Sequence, residues 1–424
     1  MKKNIYLLLI TTFFIILYRF TSFSKITFGD SLGKILDIEN NKFNMETYSI
    51  THFLYQNFTV LVYKILPFID PIEIGRWVNI FCAAIVLAIL FKTIEKIFKD
   101  QFTAILGTLA FGFSFTFWKN TVNVEVYTFS LMWIISYIYF SVCFFKEQKS
   151  KYLFYAGIIL GISLFSHIQG ILLLPSYVFL CFINYKITTD FKRSIFYIFI
   201  PILFLCCLYI YPILNQESIK NVLSSSTQTW VSDTYNKPIY AYLNDIAKAI
   251  FYLAYNFWFL NLLVFFLPFK TILNNNILLY LGIICIPVFS FSTIYAVSDN
   301  YVFFLNFNVC YIIILCFGIA DFSSKNQLIK TLFLILVLAI PLYYLSAREI
   351  ALMTTMGNNF NHENKYKGGL DYYMVPWLNN NKGLIEVYLN NEGEGKDIDW
   401  MFQSVEDFIE LRSTKMSINE IEKL

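Results

Sequence analysis

Eleven apolar runs mark the chain, at residues 4–21, 77–93, 102–118, 126–145, 152–168, 171–185, 195–214, 250–268, 277–296, 302–320 and 328–346. Each is near the ~20 residues that a helix needs to cross a hydrocarbon core. None alternates with the period of two that marks a membrane β-strand, and helices satisfy their own backbone groups in lipid. The pattern predicts an all-α polytopic membrane protein with about 11 transmembrane helices. The opening Met1-Lys2-Lys3 and its apolar run have the shape of a secretory signal. However, Tyr18-Arg19-Phe20 interrupts the expected cleavage region and favours an uncleaved first span.

The polar connections orient the spans. Lys96 and Lys99; Lys146, Lys149 and Lys151; Lys186, Lys192 and Arg193; Lys270; and Lys325 and Lys330 fall on the side of Lys2 and Lys3. The short opposite connections near 119–125, 169–170 and 297–301 carry Lys119 alone. Basic residues concentrate on the cytoplasmic side of membrane proteins, which puts the N-terminus in the cytoplasm and, with an odd span count, the C-terminus outside. Three long outer segments follow. Residues 22–76 carry an amphipathic stretch, Phe53 to Lys64, read as an interfacial helix. Residues 215–249 are rich in Ser, Thr and Asn and end in an amphipathic helix before Ile250. The tail, 347–424, reads as a small α/β segment, with a strand at 383–389 and an amphipathic helix at 403–412. The chain thus divides into a membrane domain, 1–346, and an extracytoplasmic segment, 347–424.

Composition narrows the class. With 57% hydrophobic and 14% charged residues, the chain is not a soluble enzyme, a disordered linker or a nucleic-acid-binding module, which carry far more charge. A net charge of +3 is too small to imply a polyanionic partner. All eight cysteines lie inside apolar runs, without metal-ligand spacing or a disulfide framework, and read as packing residues.

Ionisable residues near membrane depth are costly and mark functional sites by default. Asp30, His52, Arg76, Glu125, His167 and Asp299 all fall at the predicted outer boundary. Each also has an ordinary role: Asp30 as a helix cap, Glu125 as an acid on a helix dipole, and His52 as a cap or stacked ring. His167 reads equally as a histidine bonded between helices, Asp299 as a turn residue and Arg76 as an interfacial anchor. It is their shared side that points to chemistry at the outer face.

The order of motifs carries a resemblance. An early acid and a His-led amphipathic helix precede Phe111-Gly112-Phe113-Ser114-Phe115-Thr116-Phe117-Trp118 and Glu125-Val126-Tyr127. Gly157, Gly161, Ser166-His167 and the leucine run Ile171–Pro175 follow. The chain resembles the bacterial protein O-mannosyltransferase-like family of GT-C superfamily membrane glycosyltransferases, most clearly over about 25–180. Asp299-Asn300-Tyr301 is a weaker echo of the family's late acid and aromatics. The chain departs from the family at Asp30-Ser31-Leu32-Gly33-Lys34, where an Asp-x-Gly-Glu-Phe-like stretch is usual, and at His52-Phe53-Leu54-Tyr55, where His-Pro-Pro-Gly is usual.

The resemblance implies a GT-C-like fold and transfer of a sugar, mannose at family level, from a polyprenyl-phosphate donor to a hydroxyl of a protein Ser/Thr or an envelope glycan. It implies an integral protein of the bacterial inner membrane acting at the outer face. Asp30 best fits the general base. His52 and Arg76 are nearest for phosphate contact, with Glu125, His167 and Asp299 supporting the substrate pocket. Asp30 has no adjacent second acid, so neither a metal nor a cofactor is expected. The alternative class is a transporter or flippase for a lipid-linked sugar, or a non-catalytic assembly protein. A transporter predicts charges at the bilayer midplane and paired halves, which the sequence lacks.

Overall fold

The computed structural model describes residues 2–23, 25–43, 52–214, 230–267, 273–297, 300–377 and 382–424. Every regular element among them is helical. The first, α1 (Lys2–Thr21), buries Phe14 and Tyr18 completely. The connection after it holds α2 (Ser31–Glu39) and α3 (Phe53–Ile65), the latter where an interfacial helix is expected. Next comes α4 (Pro71–Phe98). Its start is fixed by Asp70, which accepts the Ile72 N–H at 2.9 Å, and by Pro71, whose missing N–H costs nothing in a first turn.

One end of the bundle is built from abrupt turns. α4 stops at Lys99, α7 (Val126–Glu147) at Gln148 and α9 (Leu174–Thr188) at Thr189. All three residues adopt left-handed φ angles, between 53° and 56°. Lys96 meets Glu147 at 2.8 Å, and Lys146 donates to the Ile97 carbonyl at 3.0 Å, tying the ends of α4 and α7. Lys96, Lys99, Lys146 and Lys149, basic residues expected on one membrane side, lie at this end.

Among the described residues, seven helices are long and apolar enough to cross a membrane, or nine if each of two bent pairs is one span. Ile5–Thr21 and α8 (Ser150–Ser166) are shorter apolar helices. One bent pair is α5 (Gln101–Gly112) and α6 (Phe115–Thr121), which meet at 63° across Phe113 and Ser114. A break between two helices frees backbone groups that need partners. Neighbouring side chains supply them. Tyr18 donates to the Gly112 carbonyl at 2.8 Å and Tyr344 to the Phe113 carbonyl at 3.0 Å, while Asn256 accepts the Thr116 N–H at 2.9 Å. The Phe-rich motif is therefore a kink.

Two sequence expectations need revision. Residues 384–389 form a helix, not a strand, and no strand occurs among the described residues, so the tail is helical rather than α/β. The alternation Leu-Ile-Glu-Val-Tyr-Leu suits a sheet, but here it buries Leu384, Ile385 and Val387 on one side. Glu386 folds back toward the Gly383 N–H and pairs with Lys25 at 2.6 Å. That cap and the tertiary contact override β-propensity. The second concerns the helix expected before Ile250, which is continuous with the apolar segment beyond it, Ile239–Phe257. Residues 215–229 lie outside the described set.

The tail packs on the first long connection. Leu384, Ile385, Met401, Val405 and Phe408 share a buried cluster with Ile26, Phe28, Leu32 and Ile35. The Ile26 N–H donates to the Leu424 carbonyl at 2.5 Å, and the Leu384 N–H to the Ile26 carbonyl at 2.9 Å. Arg412, nearly buried, bonds Glu39 and Asp70 at 2.8 Å each. The connection that carries Asp30 is thereby held between the bundle and the tail.

Candidate active site

Asp30 precedes the first turn of α2. Its side chain makes no capping bond and is exposed, and the carboxylate has no partner among the described residues. The residue before it, Gly29, has φ +110°, a conformation that side chains rarely adopt. A Cβ there would lie 3.2 Å from Glu125 Oε1. Ser31 Oγ donates to the same oxygen at 3.3 Å. Gly29 is thus the close-approach point that seats the Asp30 turn on Glu125. From the other side, Met401 Sδ stands 3.3 Å from the Gly29 nitrogen, and Tyr372 packs edge-on against Phe28 at 5.4 Å.

The kinked α5–α6 pair delivers Glu125. After Thr121 the chain turns through Val122–Val124, and Asn79 Nδ2 holds both the Asn123 and Glu125 carbonyls, at 2.5 and 2.8 Å. Glu125 occupies the position before α7 but caps nothing with its side chain.

A second group stands beside these acids. The His52 and His167 rings lie 5.6 Å apart, and Tyr127 and Phe303 pack on His167 at 5.6 and 6.0 Å. Lys34 Nζ donates to His52 Nδ1 at 3.1 Å, and the Gln169 N–H donates to His167 Nδ1 at 3.1 Å. Each neutral ring therefore keeps its N–H on Nε2. Burial holds the His52 imidazole well below its usual titration range, with the Lys34 ammonium and His167 adding to the effect. Gln169 extends the group, donating to the Phe303 carbonyl at 2.9 Å and accepting from Asn306 at 3.0 Å.

The structure therefore brings the Asp30 turn together with Glu125, and His52 together with His167, at the end opposite the basic turns. Lys34 links the two groups. Arg76 lines a small hollow behind the turn with Thr27, Ser31 and Val124, and its guanidinium bonds Glu73 at 3.0 Å. Glu73 also pairs with Arg19 at 2.9 Å. Asp299 lies outside the described residues, but the following turn, Asn300–Phe304, reaches His167 through Phe303. Sequence reasoning missed Lys34, although its spacing of four from Asp30 puts the two on one helix face. Tyr127 and Gln169 were also missed; both flank residues that were singled out. No cluster of three or more His, Cys, Asp or Glu side chains able to hold a metal occurs among the described residues.

This bundle, with a long first connection folded over one end and a kinked helix feeding an acid into it, has the GT-C fold of membrane glycosyltransferases. It is similar to crystal structures of ArnT from Cupriavidus metallidurans. The form bound to undecaprenyl phosphate matches with a TM-score of 0.56 at 11% identity, over 94% of this chain and 73% of ArnT. The apo form matches with 0.53 at 11% identity, over 85% and 68%. More narrowly, residues 52–190 match the family model for the protein O-mannosyl-transferase TMEM260 N-terminal domain. The family match covers about a third of the chain, and the likeness to ArnT is one of fold. No curated protein sequence matches the chain.

Proposed function

We propose that the protein transfers a sugar, mannose by family resemblance, from a polyprenyl-phosphate donor to a hydroxyl of a protein or envelope glycan. The reaction takes place at the outer face of the bacterial inner membrane. The carrying observation is Asp30: an exposed carboxylate that the fold does not use, set one helical turn from the Lys34 ammonium. As the acceptor oxygen attacks the anomeric carbon, Asp30 takes its proton. The bond from that carbon to the phosphate oxygen breaks, and its electron pair leaves with the phosphate. The negative charge on the phosphate meets Lys34 and the Nε2–H groups of neutral His52 and His167. Glu125 seats the Asp30 turn. Arg76 supports this arrangement from behind, and Asp299 serves the substrate pocket by family resemblance. The binding of undecaprenyl phosphate by ArnT, which shares the fold, supports a polyprenyl-phosphate donor here. In this reading residues 1–346 form the membrane domain and 347–424 an extracytoplasmic segment, with the N-terminus in the cytoplasm.

The test is turnover in lipid nanodiscs with a panel of polyprenyl-phosphate sugars, following release of polyprenyl phosphate and transfer to an acceptor. Asp30→Asn is expected to bind donor and to lose about 10²–10⁴ in kcat. Undiminished turnover moves the base to Glu125. Tight donor binding without turnover by the wild type favours a transporter or an assembly protein.

A further inference from the structure

Gln56 is fully buried in α3, and both its amide nitrogen and its amide oxygen lack a hydrogen-bond partner among the described residues. Leaving a buried polar group unpaired costs stability, so each such group in a native structure calls for an explanation. The position of Gln56 on its helix gives one. Successive helical residues turn by about 100°, so Gln56 projects between the directions of His52 and Phe53. Those two side chains face the end of α8, His52 against His167 at 5.6 Å and Phe53 against Phe165 at 6.0 Å. Tyr55 and Phe58 face elsewhere, onto Phe129 of α7. The amide is therefore aimed at the end of α8, one turn below His52. Ser166, the residue before His167, is also fully buried, with a hydroxyl that has no partner among the described residues.

We infer that Gln56, with Ser166, forms a subsite that hydrogen-bonds a hydroxyl of the donor's sugar and so selects which sugar is transferred. The inference rests on the glycosyltransferase function proposed above. The chemistry of the lining favours a hydroxyl over an anion. An amide and a hydroxyl each both donate and accept, as a sugar hydroxyl does, and neither carries charge. The cation, Lys34, sits on His52, one turn away. A sugar bonded to the phosphate at Lys34 lies within reach of this floor, which identifies the donor's sugar rather than the acceptor's. Sites built to bond a hydroxyl reject analogues that lack it strongly, because the site's own polar groups are then left unpaired.

The experiment uses the full chain in nanodiscs with the polyprenyl-phosphate hexose that the wild type turns over and its mono-deoxy analogues. Wild type is expected to discriminate against one analogue by about 10⁴-fold in kcat/KM. Gln56→Met, which keeps the side-chain length, is expected to reduce that ratio to within about tenfold and to leave the ratios for the other analogues unchanged. It is also expected to raise Tm, because it removes an amide the folded protein does not pair. A variant that unfolds, or whose Tm falls, overturns the inference, since the amide then has partners in the fold. Unchanged discrimination in an active variant overturns the inference alone, as does discrimination that follows a deoxy acceptor instead. Absence of turnover by the wild type with every donor overturns the proposed function, and the subsite with it.

Discussion

The helix bundle and the cap formed by the first long connection and the tail are held together differently. Within the bundle, helices meet ring on ring and at glycine notches. A Cβ on Gly107 would come within 2.5 Å of Cys316 Sγ, one on Gly161 would strike Phe204, and Gly112 lies directly against Phe14. Helices in lipid gain little from burying apolar surface against one another, so close approach has to supply the attraction. The cap lies at the water-facing end in the proposed orientation, where burying apolar surface is favourable. Its small apolar cluster is supplemented by charge: Arg412 on Glu39 and Asp70, and Lys25 on Glu386. The candidate site sits at the seam. Bundle helices supply Glu125 and His167, and the capped connection supplies Asp30 and Lys34.

The largest expected effect tests the charged side of this contrast. Arg412→Ala leaves Glu39, whose side chain is 7% exposed, without its cation. Breaking a buried pair from one side costs about 3–5 kcal/mol, so the cap should loosen before the bundle melts. Limited proteolysis of the tail, alongside thermal unfolding, reads this directly. Arg412→Ala with Glu39→Gln should recover part of the loss. A cost near that of an exposed pair, about 0–1 kcal/mol, would mean that apolar contact alone holds the cap.

Acidification should act at the seam. The folded protein holds His52 below its ordinary pKa of about 6.5. The unfolded chain therefore binds the extra proton first as pH falls. The stability contributed by neutral His52 is complete above about pH 6.5 and is lost as pH drops through the folded value. Tm should decline below that pH, and His52→Gln should flatten the decline. An unaltered profile in the variant assigns the slope to other groups. Within the bundle, Gly112→Ala sets a methyl against Phe14 and is expected to cost about 1–3 kcal/mol as overpacking. Gly112→Ala with Phe14→Leu should return most of it, whereas loosening the cap should leave this cost unchanged.

The bundle was legible because hydrophobic period and helix length carry its signal. Each apolar run corresponds to helix among the described residues. The cap was read less well because its structure comes from contacts distant in sequence. Nothing local reveals that Glu386 meets Lys25, 361 residues away in the chain, so a β-rich alternation was read as a strand. The same holds within the site. Asp30, His52, Glu125 and His167 stood out as costly residues on one side. Lys34 stands in the sequence only within the stretch that departs from the family pattern, and Gln56 only within an amphipathic stretch. Only the contact with His52 and the unpaired amide set them apart.

The smallest expected change in stability belongs to Asp30. Its neighbours are all engaged: Ser31 bonds Glu125, Lys34 bonds His52, and Gly29 is pressed against Glu125 and Met401. Its own carboxylate is exposed and bonds nothing among the described residues. Asp30→Asn should therefore shift stability by no more than about 0.5 kcal/mol, as surface substitutions away from structural features do. Thermal unfolding in nanodiscs checks this against Arg412→Ala in the same lipid. A fold that fixes every group around an acid and leaves the acid itself unpartnered has positioned it for something outside the fold. If Asp30→Asn instead destabilises the cap as Arg412→Ala does, the carboxylate belongs to the cap's own charge pairing and the base must be sought elsewhere.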